Sequence, residues 1–349
     1  MAIWSREKNA ESLRPFGCLY DGEHHDGETT MSAASTFTLS TPDGVDLFVY
    51  CWLPNGGPKN GQPKAVVQIA HGLAEHAARY ARLAAALTSA GYAVYANDHR
   101  GHGRSVKPAD DLGFFAERDG WRKCVADLWQ LNRHIAATHP GLPIVLLGHS
   151  MGATLAEQFM GDPDRGNVLA GVVLSGANGK PSALAKVGGA ITRAERARLG
   201  ARGKSKLVQS LTFDAFNKNF APARTAFDWL SRDPAEVDKY VADPLCGFPA
   251  TVQLWMDLLG GWAAVSRAAH RNRVPKALPL YLIAGGRDPV SGNTRQLEPW
   301  MAEYRAAGIA NLTHKFYPEA RHELFNETNR NEVTRDLIGW LDQVLARHM

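Results

Sequence analysis

Short, almost wholly apolar runs recur along this chain and alternate with longer helical patterns. AVVQIA, IVLLG and GVVLSG are examples. Strands covered by helices on both faces lose the alternation of apolar and polar residues, because neither face meets water. The pattern therefore predicts an α/β fold with a mostly parallel sheet that is flanked by helices. The eight candidate strands are Thr36–Ser40, Asp46–Leu53, Ala65–Ala70, Ala93–Asn97, Ile144–Leu147, Gly171–Ser175, Leu280–Ala284 and Thr313–Tyr317.

The first two strands differ from the others, since they flank the turn sequence Thr-Pro-Asp-Gly and predict an antiparallel hairpin. Apolar residues then recur at helical spacing from Tyr80 to Leu87 and from Val125 to Ile135. These patterns end near Gly91 and Pro140, which are residue types that stop helices. The sequence thus predicts crossover helices between parallel strands.

The alternation stops after Ala177, and no convincing β-run follows until Leu280. We predict that residues 178–276 form a helical insertion into a core made of residues 31–177 and 277–349. Residues 1–30 are polar and precede a second methionine, so we expect a separate leader with no readable function.

Composition excludes several protein classes. Because a typical domain has about 150 residues, a length of 349 residues suggests two domains, but α/β domains are often longer than this. With 45 % hydrophobic and 21 % charged residues, the chain is neither disordered nor collagen-like. A formal charge of +4 is small for this size, so we expect no nucleic-acid partner.

The four cysteines, Cys18, Cys51, Cys124 and Cys246, are far apart and form no CxxC pair or Cys/His cluster. This spacing predicts reduced structural thiols, without a metal site or a cofactor. No apolar run approaches the roughly 20 residues that span a bilayer, and the leader lacks the apolar stretch of a signal peptide. The cytoplasm is therefore the expected location, while the oligomeric state stays open.

The sharpest chemical signal is the run Gly148-His149-Ser150-Met151-Gly152, which follows an apolar strand and opens a helical pattern. A serine at such a tight turn needs glycines two positions to either side, because a Cβ there would collide with the strand or helix. The turn exposes the Ser150 hydroxyl at the carboxyl edge of the sheet and directs the Met151 N–H toward a reacting oxygen. Ser150 is therefore the candidate nucleophile.

A serine nucleophile needs a base and an acid that orients the base. Asp288 follows the strand LYLIAGG and His322 follows the strand THKFYP, so both lie at carboxyl ends of strands, in the chain order Ser, Asp, His. We predict Asp288 and His322 as the partners of Ser150. Asp243 and Asp257 are weaker candidates for the acid, because they fall within the predicted insertion.

Five motifs in register resemble the α/β-hydrolases of the monoacylglycerol lipase and lysophospholipase group, which is also grouped with the S33 serine aminopeptidases. The resemblance runs from Thr36 to Leu345 and implies an eight-stranded sheet, a helical cap or lid at 178–276 and a second oxyanion donor at the Leu73 N–H. The motifs are HGLAEH at 71–76, NDHRGHGRS at 97–105, GHSMGA at 148–153, AGGRDPV at 284–290 and EARHELFNE at 319–327.

Several other polar residues invite a chemical interpretation. We interpret His71, Glu75 and His76 as residues that shape the loop after the third strand. His99 and His102 have a spacing that suggests metal binding, but their glycine-rich segment favours a structural crossover. His149 is expected to pack beneath the turn.

The predicted insertion is rich in aromatic residues, which either form its own core or line an acyl pocket. Between Lys186 and Lys206 it also holds seven basic residues and a single acidic residue, Glu195, a pattern that is typical of a solvated face or of contact with an anionic membrane. The aromatic residues include Phe213, Phe216, Phe220, Phe227, Trp229, Phe248, Trp255 and Trp262. The apolar residues Met256, Leu258 and Leu259 lie in the same stretch. The basic residues are Lys186, Arg193, Arg196, Arg198, Arg202, Lys204 and Lys206.

These features together predict a serine carboxylester hydrolase that acts through an acyl-enzyme on a lipid monoester, such as a monoacylglycerol or lysophospholipid. The alternatives are a broad carboxylesterase for small or polymeric esters, an S33-type peptidase, and a ligand-binding protein on the same fold. A peptidase would use acidic groups to hold a free amino terminus, for which the insertion offers Asp228, Asp233, Glu236 and Asp238.

Overall fold

A single eight-stranded sheet organises the protein. The computed structural model describes residues 34–54, 62–106, 111–181 and 183–347, with the backbone alone for residues 183–186. The predicted leader at 1–30 and the Lys186 side chain lie outside the described residues. The strands are β1 (Ser35–Ser40), β2 (Asp46–Trp52), β3 (Ala65–Ala70), β4 (Tyr92–Asn97), β5 (Ile144–His149), β6 (Gly171–Ser175), β7 (Leu280–Gly285) and β8 (Leu312–Tyr317).

The strand order is β1-β2-β4-β3-β5-β6-β7-β8. Strands β1 and β2 pair antiparallel, from Ser35 opposite Cys51 to Ser40 opposite Asp46, and β2 pairs antiparallel with β4. All later pairs are parallel. The predicted hairpin and the mostly parallel sheet are confirmed, and strand ends differ from the predictions by no more than two residues.

Helices cover both faces of the sheet, as the apolar runs predict. Every residue of β3 to β7 is buried, whereas β1 alternates between half-buried and exposed positions at the edge. One face packs against α1 (Ala81–Ser89) and α11 (Arg330–Ala346). The other face packs against α2 (Gly120–Thr138), α3 (Met151–Met160) and α10 (Leu297–Ala306).

Between β6 and β7, residues 178–276 contain helices and no strand in their described part; we call them the helical segment. Its helix α8 (Val252–Val265) packs against α2 and α3, two of the helices that cover the sheet. Side-chain caps mark two of the helix starts. The Asp233 side chain accepts a hydrogen bond from Ala235 N, and Pro234 is the first helical residue. The Thr251 side chain accepts a hydrogen bond from Leu254 N. The helices are α4 (Ala183–Leu199), α5 (Lys206–Leu211), α6 (Phe213–Asn217), α7 (Pro234–Ala242), α8 (Val252–Val265) and α9 (Ala268–Arg271).

The topology brings the predicted site residues to one edge of the sheet. The carboxyl ends of parallel strands share an edge, and ligands of open α/β sheets bind there. Ser150 directly follows β5, Leu73 follows β3, Asp288 follows β7 and His322 follows β8. The helical segment leaves the sheet at the same edge, after β6.

Candidate active site

Ser150 stands on a strained turn between β5 and α3. Its φ of 54° and ψ of −114° are rare for a residue with a side chain. The Ser150 N–H donates to the Ser175 carbonyl across the sheet at 2.9 Å. A Cβ on Gly148 would come closer than 3.0 Å to the Gly152 backbone, and one on Gly152 would meet the Ala70 carbonyl equally closely. The strand and helix therefore approach one another as the two glycines predict.

His322 and Asp288 form a buried pair beside this turn. The His322 Nδ1–H donates to Asp288 Oδ2 at 2.9 Å, and the second carboxylate oxygen accepts from Val290 N. Asp288 is fully buried and His322 is 2 % exposed. Because Nδ1 is committed to the carboxylate, Nε2 of His322 is the nitrogen left to exchange a proton.

The charge of Asp288 decides the protonation of His322. Burial by itself favours the neutral imidazole, but the adjacent carboxylate and its hydrogen bond outweigh burial and raise the pKa of His322 above its usual value. A base with a raised pKa accepts a proton readily, so this pair fits general-base chemistry near neutral pH.

Two aromatic rings enclose the His322 imidazole. His149, which ends β5, lies on one side with its ring centroid 4.8 Å away. Trp229 of the helical segment lies 5.0 Å away, and the Trp229 carbonyl accepts a hydrogen bond from His322 N at 3.4 Å. Burial and the neighbouring His322 charge lower the pKa of His149 to about 4, so His149 is neutral where His322 can be charged. His149 is buried beside the turn, where the sequence places it.

Two backbone amides at the edge are available to an incoming oxygen. They are the N–H groups of Leu73, in the loop after β3, and of Met151, the first residue of α3. Within the part of the chain that the structure describes, neither amide donates a hydrogen bond. An amide at a helix start has no intrahelical partner and sits at the positive end of the helix dipole, which suits an oxyanion.

The loop that carries Leu73 is held from both sides. Glu75 Oε1 accepts from Gly72 N at 2.6 Å and from the Tyr80 hydroxyl at 2.9 Å, which agrees with the interpretation of Glu75 as a loop-shaping residue. The Ala74 carbonyl accepts from the Tyr240 hydroxyl at 2.8 Å and from Gly247 N at 2.9 Å. Ala74 itself has a φ of 56°, a conformation uncommon for a residue with a side chain.

A polar cavity lies against His149. Arg79 joins two carboxylates there, since its guanidinium donates to Glu75 at 2.6 Å and to both oxygens of Glu323 at 2.6 and 2.7 Å. The Glu323 pKa stays low because Arg79 outweighs the effect of burial. Besides His149, the cavity is lined by Glu75, Arg79, Tyr80, Arg82, Leu83, Glu323, Leu324, Phe325 and Asn326.

Three other histidines of the edge, His71, His99 and His102, form a neutral cluster. The His71 and His99 rings lie 4.1 Å apart, and His102 lies 5.3 Å from His71. Burial lowers the pKa of His99 to about 3 and that of His102 to about 4. The partners of these rings are backbone groups: His71 Nε2 accepts from His99 N, His99 Nε2 bonds the His71 carbonyl, and His102 Nδ1 bonds the Arg100 carbonyl. This supports the interpretation of the glycine-rich segment as a structural crossover.

The acidic residues considered for peptidase activity are all engaged in structural contacts. Asp228 accepts from the Thr225 hydroxyl, and Asp238 accepts from Arg224. Asp233 begins α7 and pairs with Arg330, and Glu236 pairs with Arg82. Of the weaker candidates for the acid, Asp243 hydrogen-bonds His76 and Asp257 bonds Gln253, so His322 has Asp288 as its carboxylate partner.

Most aromatic residues of the helical segment belong to one hydrophobic cluster that reaches His322 through Trp229. The Trp229 ring contacts Phe213 and Phe216 in tilted arrangements, at centroid distances of 5.7 and 5.2 Å. Phe213, Trp229, Phe248 and Trp255 are buried, whereas Phe216, Phe220 and Phe227 are half-buried against them. The group therefore forms the segment's core and, through Trp229, also covers His322.

Sequence reasoning missed the contacts of Trp229, Tyr240 and Glu323 with the site. Glu323 directly follows His322 in the sequence. Arg79 lies four residues after Glu75, so the local spacing carried a signal for the Glu75–Arg79 ion pair. No local signal marks Trp229 or Tyr240, because each reaches the site across the fold.

The family model described as "Serine aminopeptidase, S33" matches residues 61–329. A monoacylglycerol lipase from Mycolicibacterium smegmatis is 31 % identical over 321 residues, which cover 89 % of this chain and 98 % of the lipase. The human monoglyceride lipase is 29 % identical, covering 83 % of this chain and 88 % of that protein.

Solved structures match the fold along most of the chain. A carboxyl esterase from Bacillus coagulans superposes with a TM-score of 0.81 at 23 % identity, covering 90 % of this chain and 99 % of that one. A variant of the monoglyceride lipase from Saccharomyces cerevisiae gives a TM-score of 0.69 at 19 % identity, covering 92 % and 99 %. The chain therefore belongs to the serine aminopeptidase S33 family and is a hydrolase with the α/β-hydrolase fold.

Proposed function

We propose that this protein is a serine carboxylester hydrolase that acts on lipid monoesters, such as a monoacylglycerol or a lysophospholipid. The observation that carries the proposal is the buried His322–Asp288 pair beside the strained turn at Ser150. The similarity to monoacylglycerol lipases over most of both chains supports the ester as the bond that is cleaved.

In the proposed mechanism, the Ser150 hydroxyl attacks the ester carbonyl while His322 Nε2 accepts its proton. Asp288 stabilises the resulting imidazolium, and the amides of Leu73 and Met151 stabilise the oxyanion. His322 then gives the proton to the departing alcohol. Water then attacks the acyl-enzyme while His322 Nε2 accepts its proton, and this proton returns to the Ser150 oxygen as the fatty acid leaves. Water is the co-reactant, and the chain supplies the nucleophile, the base and the oxyanion donors.

The surroundings of His322 favour a substrate with one apolar and one polar end. Phe213, Phe216 and Trp229 offer an aromatic surface on the side of the helical segment, whereas Arg79 and Glu323 line a polar cavity on the side of His149. An acyl chain suits the first environment, and the second suits a polar group, although in this structure it has room for only about one water molecule. The helical segment accordingly acts as a cap that selects the ester.

The same cap is proposed to contact anionic membranes from the expected cytoplasmic location. No described helix is long and apolar enough to cross a bilayer. Lys204 and Lys206 are exposed, and Leu207 and Leu211 on α5 are 48 % and 50 % exposed. Basic residues next to exposed leucines are typical of peripheral membrane contact. Co-sedimentation with anionic vesicles should weaken with salt and in the Lys204→Glu/Lys206→Glu variant; binding unaffected by both would reject this contact.

The test of the enzyme activity uses Ser150→Ala with Ser266→Ala as the matched control. Ser266 lies at the end of α8, where its hydroxyl bonds the Trp262 carbonyl. We expect hydrolysis of a long-chain monoacylglycerol and labelling by a fluorophosphonate to disappear in Ser150→Ala and to persist in the control. Labelling of another residue, or turnover retained by Ser150→Ala, would overturn the proposal.

Substrate profiling separates the alternatives. A lipid monoester hydrolase should prefer long acyl chains to acetate or butyrate esters and should leave aminoacyl anilides intact. Faster turnover of short esters would favour a broad carboxylesterase, and cleavage of aminoacyl anilides would favour a peptidase. Folded protein that reacts with none of these substrates and resists fluorophosphonate would indicate a ligand-binding protein.

A further inference from the structure

The fold brings together three metal-binding residue types from two distant parts of the sequence. They are His76, in the loop after β3, and Asp243 and Cys246, which follow α7 in the helical segment. One donor atom from each residue lies within 4.8 Å of the others. The cysteine spacing gave no sign of this group, because only one cysteine takes part and the histidine comes from another part of the chain.

Each of the three residues is held in place. His76 Nε2 lies 2.8 Å from Asp243 Oδ2, and His76 Nδ1 has no hydrogen-bond partner among the described residues. His76 and Cys246 are each 8 % exposed, and the Asp243 side chain is 30 % exposed. A tight turn fixes the spacing, since Cys246 N donates to the Asp243 carbonyl and Leu245 N donates to Asp243 Oδ1.

An imidazole nitrogen, a thiolate and a carboxylate oxygen form a donor set that suits zinc. Zinc bonds of about 2.0–2.3 Å separate tetrahedral ligands by roughly 3.3–3.8 Å. The three donor atoms lie within 4.8 Å of one another, so side-chain rotations would have to bring them to this separation. The partly exposed side of Asp243 leaves a fourth position open to water. We propose that His76, Asp243 and Cys246 bind one thiophilic divalent cation such as Zn²⁺.

The charges around the three residues permit a cation. Arg79 is the nearby positive group, and its guanidinium is neutralised by Glu75 and Glu323. With the carboxylate of Asp243, the described neighbourhood carries an excess of negative charge. Cation binding displaces the Cys246 thiol proton, which goes to solvent, so no oxidant or reductant takes part.

The position of the site gives the cation a consequence. His76 belongs to the loop that carries Leu73, while Asp243 and Cys246 belong to the helical segment. The adjacent Ala74 carbonyl already accepts hydrogen bonds from Tyr240 and Gly247 of that segment. A bound cation adds a coordinate cross-link between the two parts. It raises the thermal midpoint and reversibly slows turnover, because the cross-link restrains the segment that a substrate must pass.

The decisive experiment is titration of the full, untagged chain with Co²⁺, a spectroscopic substitute for Zn²⁺. The parent protein carries Cys18→Ser, because Cys18 lies outside the described residues. We expect saturation at one cation per chain, with a thiolate-to-cobalt charge-transfer band in the near ultraviolet. The Cys246→Ser variant should lose the band and bind more than about 100-fold more weakly. Cys124→Ala removes a buried cysteine of α2 and should leave the titration unchanged.

A second measurement covers variants that fold poorly. Zn²⁺ should raise the thermal midpoint of the parent and inhibit it reversibly, with activity restored by a chelator, whereas His76→Gln should show neither response. The absence of a charge-transfer band in the folded parent, or a band that survives Cys246→Ser, would overturn the proposal. Because cobalt binding is read without substrate, this result is independent of whether the enzyme hydrolyses lipid monoesters.

Discussion

The same edge of the sheet holds buried imidazoles whose pKa values shift in opposite directions. His322 forms one group, and His99 and His102 form the other. His322 has a carboxylate partner 2.9 Å from Nδ1, and its pKa is raised. The rings of His99 and His102 bond the carbonyls of His71 and Arg100 instead, and burial lowers the pKa values of these rings to about 3 and 4. Burial is nearly complete in both groups. One carboxylate therefore decides whether a buried imidazole at this edge serves as a base or as a neutral packing group.

The largest expected effect follows from removing that carboxylate. In Asp288→Asn the imidazole loses the charge that stabilises its protonated form, so kcat for a monoacylglycerol should fall about 10³- to 10⁴-fold. Asp257→Asn, which alters a half-buried carboxyl of the helical segment, is the control and should stay within a few-fold of the parent. Equal losses in the two variants would show that Asp288 has no special relation to His322.

The pH profile sharpens the comparison. Since the pKa of His322 is raised, kcat/KM should fall as the pH decreases through a value above 6.5, because protonated His322 cannot accept the Ser150 proton. The residual activity of Asp288→Asn should have its acid limb at lower pH. The measurement is kcat/KM from pH 5 to 9 in both proteins; an acid limb of the parent below pH 6 would contradict the expected raised pKa.

The neutral cluster makes a prediction for stability. Folded His102 has a pKa of about 4 and its unfolded form has the ordinary value near 6.5, so the unfolded state binds the extra proton as the pH falls between them. This one group then lowers the free energy of unfolding as the pH falls, by at most about 1.4 kcal/mol per pH unit well below pH 6.5. In His102→Phe, urea unfolding at pH 7, 6 and 5 should show a shallower loss, and the difference from the parent should be larger between pH 6 and 5 than between pH 7 and 6. Identical slopes would mean that His102 is not buried neutral.

The smallest expected effect concerns Trp229. Loss of its ring contact with His322 in Trp229→Leu should reduce kcat by about 2- to 12-fold, the equivalent of about 0.5–1.5 kcal/mol for an aromatic pair, and should move the acid limb. Trp229→Phe should be milder. Trp255→Leu removes a buried indole that contacts Phe213, so it tests general destabilisation and should leave the limb in place. A limb that is the same in all three variants would leave Trp229 a packing role only.

Much of the fold and of the candidate site could be predicted from local sequence. The apolar runs mark β3 and β5 to β7 because strands covered on both faces need apolar residues throughout. Gly148 and Gly152 mark the turn at Ser150 because no other residue type fits there. Ser150, Asp288 and His322 each follow a strand, and the carboxyl ends of these parallel strands meet at one edge of the sheet. Each signal needs only a few neighbouring residues.

The contacts that the sequence did not reveal depend on how the helical segment sits on the sheet. Trp229 covers His322, Tyr240 holds the Ala74 carbonyl, and Cys246 approaches His76, although the members of each pair are 93 or more residues apart. Periodicity shows which face of a helix is apolar, but it does not show which loop that face will cover. These contacts therefore required the three-dimensional structure.

The two hydrogen bonds that end on the Ala74 carbonyl have a consequence for recombining parts of related enzymes. A helical segment grafted from another family member would change substrate preference only if it also brought a hydroxyl and an amide to that carbonyl. A graft that lacks these two donors would leave the loop that carries Leu73 less well positioned. The chimera would then hydrolyse all esters more slowly, by a similar factor. Segment and loop are therefore one unit of exchange, and a library of chimeras should vary them jointly.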